Sequence, residues 1–244
     1  MDLQEFSKLT EEIFKKNGYG ELLDKGRIQK LYELTVRMLE VNRSMNLTAI
    51  KDEGGIILRH YADSLAVSEY IPKGSTVIDV GCGAGFPALP LAIFRPDLKI
   101  TALDSTAKRI NYVAETAAML GLTNVTAVAA RAEDYGNDTK FRERFDIVTA
   151  RAVAALPVLT ELCLPLAKVG GSFVAMKASK AQEELELSKT AIAKCGGEFA
   201  SITDKPLVAL DGTSESRYLI KVSKVKSTPK EFPRHYSKIS KKPL

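Results

Sequence analysis

Cysteine, histidine and tryptophan are scarce in this chain of 244 residues, which has three cysteines, two histidines and no tryptophan. Neither a Cys-x-x-Cys pair nor a His-x-His pair occurs. Because zinc sites and disulfide frameworks depend on clustered ligands of these types, we expect neither a metal site nor a disulfide. Scattered cysteines are typical of a reducing compartment, which favours a cytoplasmic location.

Long apolar runs are also missing, and no stretch approaches the length that crosses a bilayer. The first residues are acidic and lack the basic segment and apolar core of a secretory signal, so we expect neither a signal peptide nor contact with membranes. The hydrophobic fraction of 45% and the charged fraction of 27% are typical of a globular protein with a buried core. The length suits one α/β domain with a small extension.

The excess positive charge is confined to the C-terminal end of the chain. From Lys221 to Leu244 there are eight basic residues and one acidic residue, whereas the rest has 27 basic and 29 acidic residues. A basic terminal segment is typical of proteins that bind a polyanion such as RNA. A solvated tail that keeps the protein soluble has the same composition, so charge alone leaves both interpretations open.

Helical spacing of apolar residues dominates positions 1–72, which predicts an N-terminal helical extension packed on the core. From 73 to 226, short apolar runs alternate with helical stretches, a pattern typical of a parallel sheet with helices on both faces. A turn-rich stretch joins two further strands, at 198–203 and 217–222, so we expect an antiparallel pair at one edge. The sequence thus predicts a mostly parallel seven-stranded α/β sheet, followed by a basic C-terminal tail at 227–244. The first five predicted strands cover 76–80, 99–104, 125–129, 145–150 and 171–176.

The most specific local pattern is D-x-G-x-G-x-G, which runs from Asp79 to Gly85 between the first strand and the next helix. Glycine permits tight turns with positive φ and lets a ligand approach the backbone. A dinucleotide fingerprint would require a third glycine at the position of Phe86. The pattern instead resembles motif I of the Rossmann-like class I methyltransferases. In that motif the amino-acid end of S-adenosylmethionine lies against bare backbone, here at Gly81 and Gly83.

Three other strand ends carry polar groups that face the same sheet edge. Asp104 ends the second strand, where a carboxylate can accept hydrogen bonds from ribose hydroxyls or cap the next helix. Ala132 and Glu133 follow the third strand, where an amide and a carboxylate can contact adenine or simply begin a helix. Arg151 follows the fourth strand, and its guanidinium suits either an anionic ligand or a surface ion pair.

The residues also limit the chemistry. The Asn/Asp-Pro-Pro-aromatic motif typical of exocyclic-amine methylation is missing at 150–153. Cys163 lies in an apolar run and Cys82 in the glycine loop, so we expect neither to act as a thiolate nucleophile. What fits is a target atom with a free lone pair, such as guanine N7, which needs no general base and is methylated mainly by proximity. The sequence identifies no catalytic residue.

Motifs over nearly the whole chain resemble the small-subunit rRNA methyltransferase G family, also called glucose-inhibited division protein B. The matching segments are 42–48, 59–65, 79–87, 103–105 with 108–109, 131–133, 149–153 and 228–234. The resemblance implies a cytoplasmic enzyme that methylates N7 of one guanine in 16S rRNA near the decoding centre. Carried over by position, Gly81, Phe86, Ala132, Glu133 and Arg151 would contact S-adenosylmethionine. Val41 replaces a tryptophan of many relatives, and 235–239 departs from the Gly-Thr-Pro-Asn form of some.

Four basic or aromatic positions are candidates for contacts with RNA: Arg59, His60, Lys177 and Arg234. His60 is equally suited to a structural role, and Lys177 to an ordinary surface position. We expect 16S rRNA or the small ribosomal subunit as the partner of a monomeric enzyme, with no protein partner implied. A methyltransferase for ribose 2′-oxygen or a small molecule, and an RNA-binding protein without catalysis, are the alternative functions.

Overall fold

The computed structural model describes residues 1–244, which form ten α-helices and nine strands. The α-helices are α1 Leu3–Lys16, α2 Lys25–Met45, α3 Glu53–Ile56, α4 Asp63–Leu65, α5 Ala88–Phe94, α6 Ala107–Met119, α7 Ala132–Asn137, α8 Leu156–Cys163, α9 Ala181–Lys194 and α10 Tyr236–Lys241. The strands are β1 Thr76–Val80, β2 Lys99–Asp104, β3 Val125–Ala129, β4 Phe145–Arg151, β5 Ala167–Lys177, β6 Gly197–Asp204, β7 Leu207–Val208, β8 Ser214–Glu215 and β9 Tyr218–Lys224. Short 3₁₀ turns cover Gly20–Leu22 and Ala66–Tyr70, and a π turn covers Ile57–Ala62.

Seven strands form one sheet in the order β3-β2-β1-β4-β5-β9-β6. Strands β1 to β5 pair in parallel, and β9 runs antiparallel to both of its neighbours. This confirms the predicted sheet and its antiparallel pair at one edge. The hairpin of β7 and β8 forms a separate two-stranded sheet that the sequence analysis did not predict.

The sheet is covered on both faces because successive strand residues point to opposite sides. Val77 belongs to a cluster of 40 buried hydrophobic residues, which also includes residues of α1, α2, α5 and α6. Its neighbour Ile78 belongs to a second cluster of 24, with α8, α9 and Ile239 of α10. The three cysteines are buried and unpaired. None of the helices combines the length and the apolar character needed to cross a membrane.

The N-terminal helices pack on the first of these faces. The first helix begins at a capping box, in which the Glu5 N–H donates to Asp2 Oδ1 at 2.9 Å. Phe14 is buried and stacks on Phe94 of α5 with ring centroids 5.8 Å apart. The helical run from α3 to Tyr70 is continuous and contains the π turn, a feature that often accompanies functional sites. It brings residues of this extension to the carboxyl edge of the sheet.

Residues 228–244, which we call the C-terminal segment, pack on the second face. Ile239 is fully buried. The guanidinium of Arg142 donates to four carbonyl oxygens, three of which belong to this segment. Before it, the buried Lys224 donates through Nζ to the Leu164 carbonyl at 2.6 Å and lies 3.1 Å from Glu143 Oε1. The basic end of the chain is therefore attached to the core at several points.

Candidate active site

Two clefts lie side by side at the carboxyl edge of the sheet. The first, which we call the glycine-loop cleft, has a volume of about 300 Å³. It is lined by Gly81 and by residues that lie at or follow the ends of β2 and β3. The second, the basic cleft, has a volume of about 440 Å³ and lies at the ends of β4 and β5. Ala152 lines both, and its φ of 55° turns the chain sharply between them. Ligands bound in the two clefts would therefore be neighbours.

The glycine loop shapes the wall of the first cleft. The Gly81 and Cys82 N–H groups both donate to the Leu103 carbonyl, at 2.7 and 3.0 Å, which ties the loop to β2. Gly81 has a φ of 72°, and a side chain there would overlap Val153. Gly83 has a φ of 56° but open space around it, since the nearest atom to an added Cβ would be 4.0 Å away. Position 83 thus favours glycine for its backbone conformation. Gly83 lines neither cleft, however, and its N–H donates to Asp104 Oδ2, so of the two predicted loop glycines only Gly81 lies in the cleft wall.

Asp79 anchors the base of this loop. It is buried at the end of β1, where Oδ2 accepts from the Ala88 N–H at 3.2 Å and Oδ1 accepts from Thr149 Oγ1 at 3.2 Å. Burial, the largest influence, raises the pKa of Asp79 to about 7 despite the opposing effect of Arg151. The carboxyl group fixes the start of α5 relative to β1 and β4, and it does not line the cleft.

Asp104 is buried at the end of β2 and lines the glycine-loop cleft. Its Oδ1 accepts from the Thr106 N–H at 2.8 Å and its Oδ2 from the Gly83 N–H at 3.0 Å. Asp104 does not cap α6, whose N-cap is Thr106. Each carboxylate oxygen has a second lone pair, so these two bonds leave acceptor capacity for a ligand.

Ala132 and Glu133, the first residues of α7 after β3, also line this cleft. Glu133 is buried, and its Oε1 accepts from the Tyr236 N–H at 3.2 Å. The other carboxylate oxygen has no hydrogen-bond partner in the protein and can accept from a ligand. Tyr236 and Val153 also line this cleft, and the sequence analysis identified neither. No local pattern marks them, because both reach the cleft only through tertiary packing.

Phe86 and Arg151, two of the predicted cofactor contacts, do not line the glycine-loop cleft. Phe86 is buried and lines neither cleft, whereas Arg151 lines the basic cleft. The Arg151 guanidinium lies 5.5 Å from the centre of the Phe86 ring and donates to Asp63 Oδ2 at 2.8 Å. Asp63 is itself buried and lies 3.5 Å from Arg217 Nε. Arg151 is thus held by an ion pair in the wall of the basic cleft. Asp63 could not be predicted as its partner, because the two residues lie 88 positions apart in the sequence.

His60 stacks on the ring of Phe86. Its ring lies 4.5 Å from that of Phe86 with an interplanar angle of 6°. Nε2 lies 2.8 Å from Thr48 Oγ1, and Nδ1 has no hydrogen-bond partner. Burial first, and Arg151 second, lower the pKa of His60 to about 3, so the imidazole is neutral near pH 7. His60 therefore ties the N-terminal extension to the glycine loop while also lining the basic cleft.

The remaining candidates for RNA contact differ in position. Arg59 lines the basic cleft, is 45% exposed through its side chain, and pairs with Glu215 at 2.7 Å. Lys177 lines it too, but its side chain is 9% exposed and its Nζ lies 2.6 Å from Glu184 Oε2. Arg234 lines neither cleft and pairs with the buried Glu161. The structure brings three of the four candidates together.

Comparison with known proteins gives one consistent family. A model of the family described as rRNA small subunit methyltransferase G matches residues 27–207. The chain is 46% identical over 211 residues to the ribosomal RNA small subunit methyltransferase G of Lactobacillus delbrueckii subsp. bulgaricus. The matched region covers 85% of this chain and 87% of that protein. It is 43% identical over 237 residues to the protein of the same description from Clostridium perfringens, with coverages of 96% and 98%.

Solved structures share the fold at much lower identity. A SAM-dependent methyltransferase from Aquifex aeolicus has a TM-score of 0.52 and 19% identity, over 71% of this chain and 94% of that one. M. jannaschii TYW2, solved in complex with AdoMet, has a TM-score of 0.51 and 15% identity, over 83% and 78%. At these identities the likeness shows the fold alone, and it confirms the predicted class I methyltransferase architecture.

Proposed function

The chain belongs to the rRNA small subunit methyltransferase G family, and we propose that it methylates N7 of one guanine in 16S rRNA near the decoding centre. It is a methyltransferase of small-subunit rRNA, as the family description states, and it uses S-adenosylmethionine. We further propose that it acts as a monomer in the cytoplasm, on 16S rRNA or on the small ribosomal subunit.

The residues of the glycine-loop cleft fit S-adenosylmethionine. Bare backbone at Gly81 suits the amino-acid end, and the spare lone pairs of Asp104, which also fixes Gly83, suit the ribose hydroxyls. The Ala132 amide and the second oxygen of Glu133 suit the acceptor and donor groups of adenine. When bound, this cofactor supplies a methyl group on a positively charged sulfur.

The basic cleft suits the target nucleotide because five cations line it against two carboxylates. These charged side chains are Arg59, Asp63, Arg151, Lys177, Glu184, Lys205 and Arg217. Positive charge of this kind attracts and positions the RNA phosphates. The cleft shares Ala152 with the glycine-loop cleft, so a base held here lies next to a ligand held there.

The observation that carries the choice of N7 is that the basic cleft contains no effective base. Asp63 pairs with Arg151 and Glu184 pairs with Lys177, so both carboxylates are neutralised by cations. His60, with a pKa of about 3, is a weak proton acceptor. N7 of guanine carries no proton and presents a free lone pair, so its methylation needs no proton removal. The work left to the protein is positioning.

The proposal is tested by mapping the modifications of 16S rRNA by mass spectrometry in cells with and without the protein. We expect one 7-methylguanine that disappears without the protein and returns with the wild-type chain. The variant Asp104→Ala, which loses a predicted ribose contact, should restore it poorly. An unchanged set of modifications, or a lost methyl group on ribose or on another base atom, would refute the proposal.

A further inference from the structure

The C-terminal segment reaches the glycine-loop cleft at its adenine end. Tyr236, the first residue of α10, lines this cleft and is 37% exposed. Its N–H donates to Glu133 Oε1 at 3.2 Å, which places it at the end of β3 and away from the amino-acid end of the cleft. Tyr236 is therefore part of the wall next to Glu133, one of the residues that suit adenine.

This placement is built into the fold. Arg234, two residues earlier, donates to the buried Glu161 through Nε at 2.8 Å and Nη2 at 2.6 Å. Asn137 Nδ2, at the end of α7, donates to the Pro233 carbonyl at 3.1 Å. Ile239, three residues later, is fully buried against the second face of the sheet. Anchors on both sides of Tyr236 thus fix its position relative to the cleft.

The chemistry of tyrosine suits this position. A partly exposed aromatic ring offers a flat apolar face, and nucleobases stack on such faces with little dependence on base identity. Glu133 lies directly beside it, because its Oε1 accepts from the Tyr236 N–H, and its other carboxylate oxygen is free to accept a hydrogen bond. An aromatic side chain next to a free acceptor suits adenine, which offers a flat face and an exocyclic amino group.

We propose that Tyr236 is a cofactor-binding residue and that the C-terminal segment completes the adenine end of the cofactor site. This assignment rests on the cofactor site proposed for the glycine-loop cleft. It gives the basic end of the chain a role in binding the cofactor that is separate from any contact with RNA, because Tyr236 lines the cleft whereas Lys238 and Lys241 are exposed on the same short helix.

The first test measures the affinity for S-adenosylhomocysteine by calorimetry in Tyr236→Ala, Tyr236→Phe and Lys238→Ala. Loss of a stacked ring should weaken binding at least about fivefold in Tyr236→Ala. Tyr236→Phe, which keeps the ring and the backbone amide, and Lys238→Ala, which changes an exposed side chain of the same helix, should bind as the wild type does. The affinity of Tyr236→Ala for 5′-methylthioadenosine, which lacks the amino-acid end, should fall by the same factor, because the lost contact is with adenine.

A second variant keeps the proposal testable even if Tyr236→Ala disturbs the segment. The chain has no tryptophan, so Tyr236→Trp places a single fluorescent indole at the wall of the cleft. Its emission should change on titration with S-adenosylhomocysteine and saturate at the affinity measured by calorimetry. Tight binding with unchanged emission, or full affinity in a folded Tyr236→Ala, would overturn the assignment of Tyr236. Failure of the wild type to bind any adenosyl ligand would instead overturn the cofactor site itself.

Discussion

Replacement of Arg234 by alanine removes the only cation that pairs with a fully buried carboxylate. Glu161 Oε1 accepts from the Arg234 N–H at 2.9 Å and from Nε at 2.8 Å, and Oε2 accepts from Nη2 at 2.6 Å. The alanine variant keeps the backbone N–H and loses both guanidinium bonds. It therefore leaves a buried negative charge with one neutral donor.

Burial of the carboxylate sets the size of the loss. Removing one partner of a buried ion pair costs about 3–5 kcal/mol. The 24% exposure of the Arg234 side chain and the retained backbone N–H favour the lower end of this range. We expect the free energy of unfolding to fall by about 2–4 kcal/mol at pH 7.

Urea unfolding followed by far-ultraviolet circular dichroism measures this difference. With a slope of about 3 kcal/mol per molar urea, the midpoint at pH 7 should fall by about 1 M. Lys238→Ala, an exposed change in the same segment, is the matched control and should stay within about 0.5 kcal/mol of the wild type. Arg234→Lys restores the charge without the two-pronged geometry and should recover only part of the loss.

An unchanged midpoint in Arg234→Ala would refute this reasoning. Combined with weaker binding of RNA, that result would instead support the prediction from sequence that Arg234 contacts RNA.

Three further predictions concern the clefts and the basic end. Asp104→Ala should weaken the binding of S-adenosylmethionine by about 1–3 kcal/mol in calorimetry, and an unchanged affinity would contradict its assignment to ribose. Because the folded-state pKa of His60, about 3, lies below the ordinary 6.5, the unfolded chain binds an extra proton between these values. Stability present above pH 6.5 is then lost by up to about 1.4 kcal/mol per pH unit as the pH falls. His60→Phe should therefore lose less stability than the wild type between pH 7 and pH 5. Urea midpoints that shift equally in both proteins between these pH values would contradict this. Replacing Lys238, Lys241 and Lys242 with alanine should flatten the log–log salt dependence of RNA affinity by about one unit per lost phosphate contact without changing cofactor affinity, whereas an identical slope would assign these lysines to solvent.

The fold was largely predictable because its strands are short apolar runs separated by helical spacing. The predicted first three strands agree with β1, β2 and β3 residue for residue. The fifth was predicted from position 171, whereas β5 starts at Ala167, because residues 168–170 are exposed and lack the apolar pattern of a buried strand. The hairpin of β7 and β8 was missed, since strands of two residues are too short to show a period.

The site was predictable only where one segment carries its own signal. The positive φ angles of Gly81 and Gly83 follow from the glycine pattern, and the place of Asp104 follows from the strand that it ends. The pairing of Arg151 with Asp63 depends on packing between distant segments and has no local signature. The charge count likewise could not show that one basic residue of the C-terminal end neutralises a buried carboxylate.

The four hydrogen bonds of Arg142 have a consequence for local unfolding. Between β9 and α10 the chain contains no helix or strand, so repeated backbone pairing does not hold it. Instead, the Arg142 guanidinium donates hydrogen bonds to the carbonyl oxygens of Thr228, Pro229 and Phe232, and also to that of Gly136 in α7. Because these turns share a single donor group, they open together and do not fray one by one. Amide protons along this stretch should then exchange with deuterium as one cooperative unit.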